Sequence, residues 1–321
     1  MPPSPVALAD IRRAANRIAP HAHRTPVMSS RQVDAWLGCR AVFKCENLQR
    51  TGAFKFRGAC NAVRSLNDAE AACGVVTHSS GNHGAALAAA AGLRGITAHV
   101  VMPRTAPSVK RAAVEGYGAN VIECEPTLAA REATTGRVMD ETGATLIHPF
   151  DDLRIITGQA TVALELLNEV GELDTIVCPV GGGGLAAGTA LATLFVSPST
   201  KVVLGEPQTV DDAYRSFQAG HIITADDSPT IADGLKTSLG EHTFPIIRDH
   251  VSRIVTVSED EIIGAMRFIW TRMKLIIEPS SAVAVAAVHK DRDRLSGQQV
   301  GIIISGGNVD LDHLPWINHP T

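Results

Sequence analysis

The stretch Thr175-Ile176-Val177-Cys178-Pro179-Val180-Gly181-Gly182-Gly183-Gly184-Leu185-Ala186-Ala187 decides the fold. Its β-branched run reads as a strand, its four glycines as a turn without side chains, and residues 185–195 as a helix. Glycines let the backbone come close to an anion. The first helical N–H groups and the positive end of the helix dipole then hold a phosphate. A flexible linker is the plainer alternative, and it fits poorly between so regular a strand and helix. A P-loop is excluded, because Leu185 follows the last glycine in place of the Gly-Lys-Ser/Thr ending. A dinucleotide site stays open: Gly182, Gly184 and Ala187 fit G-x-G-x-x-A, and Glu206 lies 22 residues beyond Gly184, where a ribose-binding carboxylate would sit.

Outward from this unit, short β-branched runs recur at residues 75–77, 99–102, 121–124, 202–204 and 301–304. Helix-periodic segments fall at 108–117, 128–141, 158–169, 184–195, 259–273 and 280–290. Strands alternating with helices predict an α/β fold with mostly parallel sheets covered on both faces. The units from about 74 to 148 suit one sheet and those from about 175 onward another, with 149–154 crossing between them. A ligand cleft is expected between the two, beyond the carboxyl ends of the strands.

With 321 residues, 45% hydrophobic and 19% charged, the chain has the make-up of a soluble globular protein of about two domains. A net charge of −4 and 4% aromatics lack the basic footprint and stacking inventory of a nucleic-acid binder, so no nucleic acid is expected. Cys39, Cys45, Cys60, Cys73, Cys124 and Cys178 have no C-x-x-C or metal-ligand spacing, which favours the reducing cytoplasm over a disulfide framework. The N-terminus, Met-Pro-Pro-Ser-Pro followed by a segment with Arg12, Arg13 and Arg17, has no apolar core of leader length. The longest small-apolar stretch, 85–93, is too short to span a bilayer, so no membrane is expected.

Three further segments carry chemistry. Lys55 lies between Phe54 and Phe56, with Gly52 and Gly58 close by. An amine in apolar surroundings has its charged form disfavoured, and its neutral form is the nucleophile that makes imines with carbonyls. A lysine with a buried stem and a hydrated ammonium is the ordinary alternative. Ser79-Ser80-Gly81-Asn82-His83-Gly84 again separates a strand from a helix. Its backbone donors, two hydroxyls and the Asn82 amide suit a carboxylate and a phenolic oxygen, or serve as a plain N-capping loop. With no G-x-S-x-G or H-E-x-x-H, His78 and His83 read as structural. Ser305 ends a buried-looking strand, where a hydroxyl can bond a heterocyclic nitrogen without protonating it; by itself it reads as a plain strand-to-turn hydroxyl.

Taken together, these segments resemble the fold-type II pyridoxal-phosphate (PLP) enzymes, which are like the tryptophan synthase β subunit. Within them the chain is similar to the family of serine racemases, serine/threonine dehydratases and threo-3-hydroxyaspartate dehydratases. The resemblance covers nearly the whole chain, including Phe43-Lys44-Cys45-Glu46, Thr51 to Gly58, Thr77 to Gly84, His148-Pro149, Ala232-Asp233-Gly234, Glu278-Pro279 and Ser305 to Asp310. It implies that residues 1–73 and 150–321 form a large PLP-binding domain and 74–149 a small one closing over the cleft. It further implies that Lys55 carries the cofactor and acts as base, that Gly181, Gly182, Gly183 and Gly184 hold its phosphate, Asn82 its phenolic oxygen and Ser305 its ring nitrogen. Ser79, Ser80, Asn82 and His83 would bind the substrate, with Ser80 offering a proton on the opposite face as in racemases.

Arg131 matches a basic residue at the distal end of the substrate pocket; by itself it would read as a solvated helix arginine. Glu206, Val210 and Asp212 match a divalent cation site of hard oxygen donors suited to Mg²⁺, Mn²⁺ or Ca²⁺, where sequence alone gives a solvated acidic turn. The implied activity is removal of water and ammonia from serine, threonine or threo-3-hydroxyaspartate, with serine racemase as the near alternative and a homodimer as the assembly. Rivals from other classes are a nicotinamide-dependent oxidoreductase and an inert amino-acid-binding module. ATP is a further implied effector, at Tyr117 and Asn308, although Arg50 stands where serine racemases have lysine. The segment Glu278 to Ala282 also departs from the animal racemases towards bacterial dehydratases.

Overall fold

A computed structural model describes residues 5–225 and 228–317; the Met1 to Ser4 part of the leader reading lies outside them. Ten strands are described: β1 (Val27–Met28), β2 (Arg40–Cys45), β3 (Val75–His78), β4 (Ala98–Pro103), β5 (Asn120–Cys124), β6 (Thr145–Leu146), β7 (Thr175–Pro179), β8 (Lys201–Pro207), β9 (Arg253–Val257) and β10 (Gln299–Ile304). They form a six-stranded sheet in the order β1-β2-β10-β7-β8-β9 and a four-stranded sheet in the order β5-β4-β3-β6. Apart from the antiparallel β1–β2 pair, each described pairing is parallel.

Fourteen helices accompany them among the described residues: α1 (Leu8–Ile18), α2 (Arg31–Leu37), α3 (Lys55–Ser65), α4 (Asp68–Cys73), α5 (Asn82–Arg94), α6 (Ser108–Gly116), α7 (Leu128–Thr142), α8 (Leu153–Val170), α9 (Gly184–Val196), α10 (Asp212–Ala219), α11 (Thr243–His250), α12 (Glu259–Met273), α13 (Pro279–Lys290) and α14 (Arg292–Leu295). Parallel strands need crossover connections, and the helices that supply them cover both faces of each sheet. Every residue of β7 is therefore buried. From Gly184 to Thr193, α9 is buried all round, which is why that helix has an apolar surface and no polar face. Where α3 crosses α8 the backbones nearly touch: a Cβ at Gly158 would lie 2.6 Å from the Cα of Gly58, so any larger residue there would force the helices apart. No described helix is long and apolar enough to cross a membrane. All six cysteines are free thiols.

The structure adds to the expected elements. β2 escaped the pattern because it carries Arg40 and Lys44, and β9 because an edge strand need only be half buried. α8 starts at Leu153, five residues before the expected 158, because the Asp152 side chain accepts from the Arg154 N–H and caps it there.

Lys44 belongs to a buried ionic cluster. Arg57 donates to Glu46 through Nε (2.7 Å) and Nη2 (2.8 Å), and to Glu165 through Nη1 (2.7 Å) and Nη2 (2.8 Å). Lys44 Nζ donates to Glu165 (2.9 Å) and to the Thr25 carbonyl (2.7 Å), while the Thr25 hydroxyl donates to Glu46 (2.6 Å). The side chains of Arg57, Glu46 and Lys44 are all fully buried. Two positive and two negative charges thus lock β2, the short turn after it, α3 and α8 to one another.

Candidate active site

Lys55 opens α3, so its side chain leaves from the first turn of the helix. Its Nζ donates to the Pro149 carbonyl at 2.8 Å and lies 5.2 Å from the centre of the Phe54 ring. Burial lowers its pKa to about 8, against a smaller opposing pull from Glu278. About one lysine in ten is then neutral at pH 7, where an ordinary lysine would be almost wholly charged. We expect the rate at which the apo-protein captures PLP, followed by absorbance after rapid mixing, to rise about ninefold from pH 6 to 7 and to level off above about pH 9. A rate still climbing steeply at pH 10 would mean an unperturbed amine.

The strand, glycine turn and helix of the 175–195 unit form as expected, and α9 begins with no side-chain cap. The leading N–H groups of a helix have no intrahelical acceptor, and here they are buried, which fits an anionic group placed among them. The glycines have a second reason that sequence did not suggest. A Cβ at Gly182 would fall 2.4 Å from the Phe150 ring, and one at Gly183, where φ is +89°, would fall 2.8 Å from Thr243. Protein packs against the back of the turn so closely that side chains are excluded.

Ser305 directly follows β10 and is almost fully buried, its hydroxyl 2.9 Å from that of Ser281. Its carbonyl accepts from the Phe54 N–H at 2.9 Å, so the end of β10 is stitched to the residue before Lys55. Asn82 Nδ2 donates to both oxygens of Glu278, at 3.0 and 3.1 Å, and Asn82 Oδ1 accepts from Asn308 Nδ2 at 2.9 Å. Burial raises Glu278 to about 7, with the Asn82 bond working against it. Glu278 escaped the sequence reading as a site residue. Its trace there is a Glu-Pro pair opening an alanine-rich helix, an acidic N-cap with proline at the first helical position.

Ser79 and Ser80 are half-buried, and Ser80 makes no side-chain hydrogen bond among the described residues. The His83 ring is turned inward: it is 2% exposed, its Nε2 lies 3.2 Å from the Ile147 carbonyl, and burial followed by the Lys55 charge holds its pKa well below the usual value. Any contact of His83 with a ligand would therefore run through its backbone. His148 sits edge-on to His78 with ring centres 5.8 Å apart, and burial first, then His78, lowers its pKa to about 4. Arg131, on the first turn of α7, is half-buried beside His78, and its Nε is enclosed without a hydrogen-bond partner. It is not the solvated helix arginine that an isolated reading would give.

Glu206 and Asp212 are each 1% exposed, as is Val210, so the solvated acidic turn is also corrected. The Glu206 carboxylate accepts from the Ala213 and Tyr214 N–H groups at 2.8 Å each. Burial raises it to about 9, those two bonds oppose the rise, and the Asp212 charge adds to it. Its oxygens serve the start of α10, which removes it as a ribose acceptor. A buried pair of mutually repelling carboxylates has the chemistry of a hard-cation site, although no cluster of three acidic, histidine or cysteine side chains occurs among the described residues.

An amine kept partly neutral, a buried uncapped helix start and a hydroxyl at a strand end define a site for an aldehyde cofactor with a phosphate tail. A family model for pyridoxal-phosphate dependent enzymes matches residues 18–306, and the chain belongs to that family. The β-hydroxyaspartate dehydratase of Paracoccus denitrificans is 50% identical over 308 residues, covering 96% of this chain and 98% of that protein. The serine racemase of Dictyostelium discoideum is 49% identical, covering 98% and 99%. Its crystal structure superposes with a TM-score of 0.92 over 95% of this chain and 99% of that one, at 50% identity. The crystal structure of a T.th. threonine deaminase gives 0.91 over 96% and 99%, at 44% identity. Membership of this family ends the nicotinamide reading.

Proposed function

We propose that this chain is a hydroxy amino acid dehydratase that converts an L-3-hydroxy amino acid to a 2-oxo acid and ammonia, and that it favours the acidic substrate threo-3-hydroxyaspartate over serine and threonine. The observation that carries the preference is Arg131, half-buried with no carboxylate paired to it among the described residues. A β-carboxylate would give it a charge-assisted partner that serine cannot.

Bound PLP supplies the electron sink that makes the substrate Cα–H acidic. Lys55 would hold that cofactor, with the amides of Gly181 to Gly184 on its phosphate, Asn82 at its phenolic oxygen and Ser305 at its ring nitrogen. In the chemical step the Lys55 amine, freed when the substrate amine takes its place on the cofactor, would take the Cα proton as the Cβ–O bond breaks. The hydroxyl leaves with a proton as water, and the enamine product then adds water to give the 2-oxo acid and ammonia. The loop from Ser79 to Gly81 and the first amides of α5, at Asn82 and His83, would receive the substrate α-carboxylate. Glu206, Val210 and Asp212 would hold a divalent cation beside β8, away from bond breaking.

Serine racemase is the second reading, favoured by the unengaged Ser80 hydroxyl in the loop after β3. Residues 74–149 would be the smaller domain, closing over a larger one made of 1–73 and 150–321; Lys110 of α6 pairs with Asp233 across that cleft. A cytoplasmic homodimer, with ATP acting near Tyr117 and Asn308, completes the proposal.

The test is a panel of L-serine, D-serine, L-threonine and both threo-3-hydroxyaspartates, each with and without Mg²⁺. Arg131→Ala is expected to cut kcat/KM for hydroxyaspartate by about ten- to a hundredfold and for serine by less than about threefold. A uniform loss would remove Arg131 from substrate choice. D-serine formed faster than any 2-oxo acid would favour the racemase, and no turnover at all would leave the inert binder.

A further inference from the structure

Asp151 lies between β6 and α8 and takes no part in the chemistry above. Its carboxylate accepts three backbone N–H bonds, from Glu241 (3.0 Å), His242 (2.8 Å) and Thr243 (3.2 Å). These are the amides that lead into α11, where helix geometry leaves N–H groups without acceptors and favours a negative charge. The fit is close: a Cβ at Gly240 would lie 2.1 Å from Asp151 Cγ.

Thr243, fully buried, passes this constraint to the glycine turn. Its hydroxyl donates to the Gly182 carbonyl at 2.8 Å and accepts from the Gly240 N–H at 2.8 Å. In a planar trans peptide the carbonyl of Gly182 and the N–H of Gly183 point in opposite directions. Fixing the carbonyl on Thr243 therefore turns the Gly183 N–H away from α11 and off the packed face of the turn. Phe150, the residue before Asp151, packs against Gly182 and Gly184. One short segment so holds the Lys55 amine through the Pro149 carbonyl and, two residues later, braces the turn beyond it.

We propose that Asp151 is a positioning residue for the anion cradle: by fixing the start of α11 it holds Thr243 on Gly182 and presents the Gly183 amide to the cofactor phosphate. This rests on the reading that Gly181 to Gly184 hold that phosphate. The test titrates apo-protein with PLP and with pyridoxal, which has the aldehyde and no phosphate, following bound-ligand absorbance. Asp151→Ala is expected to weaken PLP at least about tenfold and pyridoxal less than about twofold. Thr243→Val, which removes the hydroxyl at nearly constant volume, should show the same selective loss and serves where Asp151→Ala does not fold. Asp151→Asn, which keeps one accepting oxygen, should fall between. Equal weakening of both ligands, or PLP affinity unchanged, would overturn the brace. A wild-type chain that binds the two alike would instead remove the cradle itself, so the two failures are told apart.

Discussion

Replacing Lys55 with alanine is expected to remove the visible absorbance of bound PLP and to lower turnover of every hydroxy amino acid by at least about a thousandfold. The side chain is assigned two duties, holding the aldehyde and accepting the Cα proton, and no other lysine has its placement: half-buried at a helix start, its pKa lowered to about 8, its amine on the Pro149 carbonyl. The loss should not come from misfolding. That amine costs desolvation and returns a single hydrogen bond, so the apo-variant should melt close to the wild type. Borohydride reduction followed by peptide mass spectrometry separates the cases. A pyridoxyl adduct is expected at position 55 in the wild type and at no defined position in Lys55→Ala. An adduct on another lysine, with turnover retained, would overturn the assignment.

Arg57→Ala is expected to give the largest loss of stability, about 3–5 kcal/mol, because removing one member of a buried charge cluster strands its partners. Glu46 would remain fully buried without its main counter-charge, and Glu165 would keep only Lys44. For a chain of this size that is a fall in melting temperature on the order of ten degrees, readable by calorimetry. Arg57→Lys should not rescue it, since an ammonium cannot make the paired bonds to two carboxylates that the guanidinium makes here.

The pH dependence of that loss follows from Glu165. Burial works to raise its pKa, but Arg57 and then Lys44 outweigh this and hold it below its ordinary value. A carboxyl depressed on folding contributes stability above its unfolded pKa and loses it as pH falls through the folded one. The gap between wild type and Arg57→Ala should therefore be full near neutrality and narrow in acid. A difference under about 1 kcal/mol at pH 7 would show that the cluster is replaceable by water.

What could be read from the sequence was what is local. The β7–glycine–α9 unit and the Ser79 to Gly84 loop keep strand, turn and helix within about twenty residues, so periodicity and glycine placement exposed them. Lys55 was visible because its apolar neighbours adjoin it in the chain. Glu278 and Asp151 were not, because each acquires its meaning from a residue far away: Asn82 and Glu278 are 196 positions apart, Asp151 and Thr243 92. β2 was hidden by Lys44, a charge that no strand pattern admits until Glu165 is seen beside it. Taken alone, Arg131 and Glu206 would read as solvated, because sequence does not show which polar side chains the fold encloses; only the resemblance assigned them to a site.

The strand order carries a consequence for biosynthesis. β10 inserts between β2 and β7, with Ile303 alongside Lys44, so the central seam of the larger sheet joins segments made about 255 residues apart. At ribosomal speeds of about 5–20 residues per second, the nascent chain must wait on the order of tens of seconds for that partner. Until it emerges, one edge of β2 is unpaired and the Phe54 N–H lacks the Ser305 carbonyl. A site that includes Ser305 is therefore complete only after β10 has been made and paired with β2 and β7.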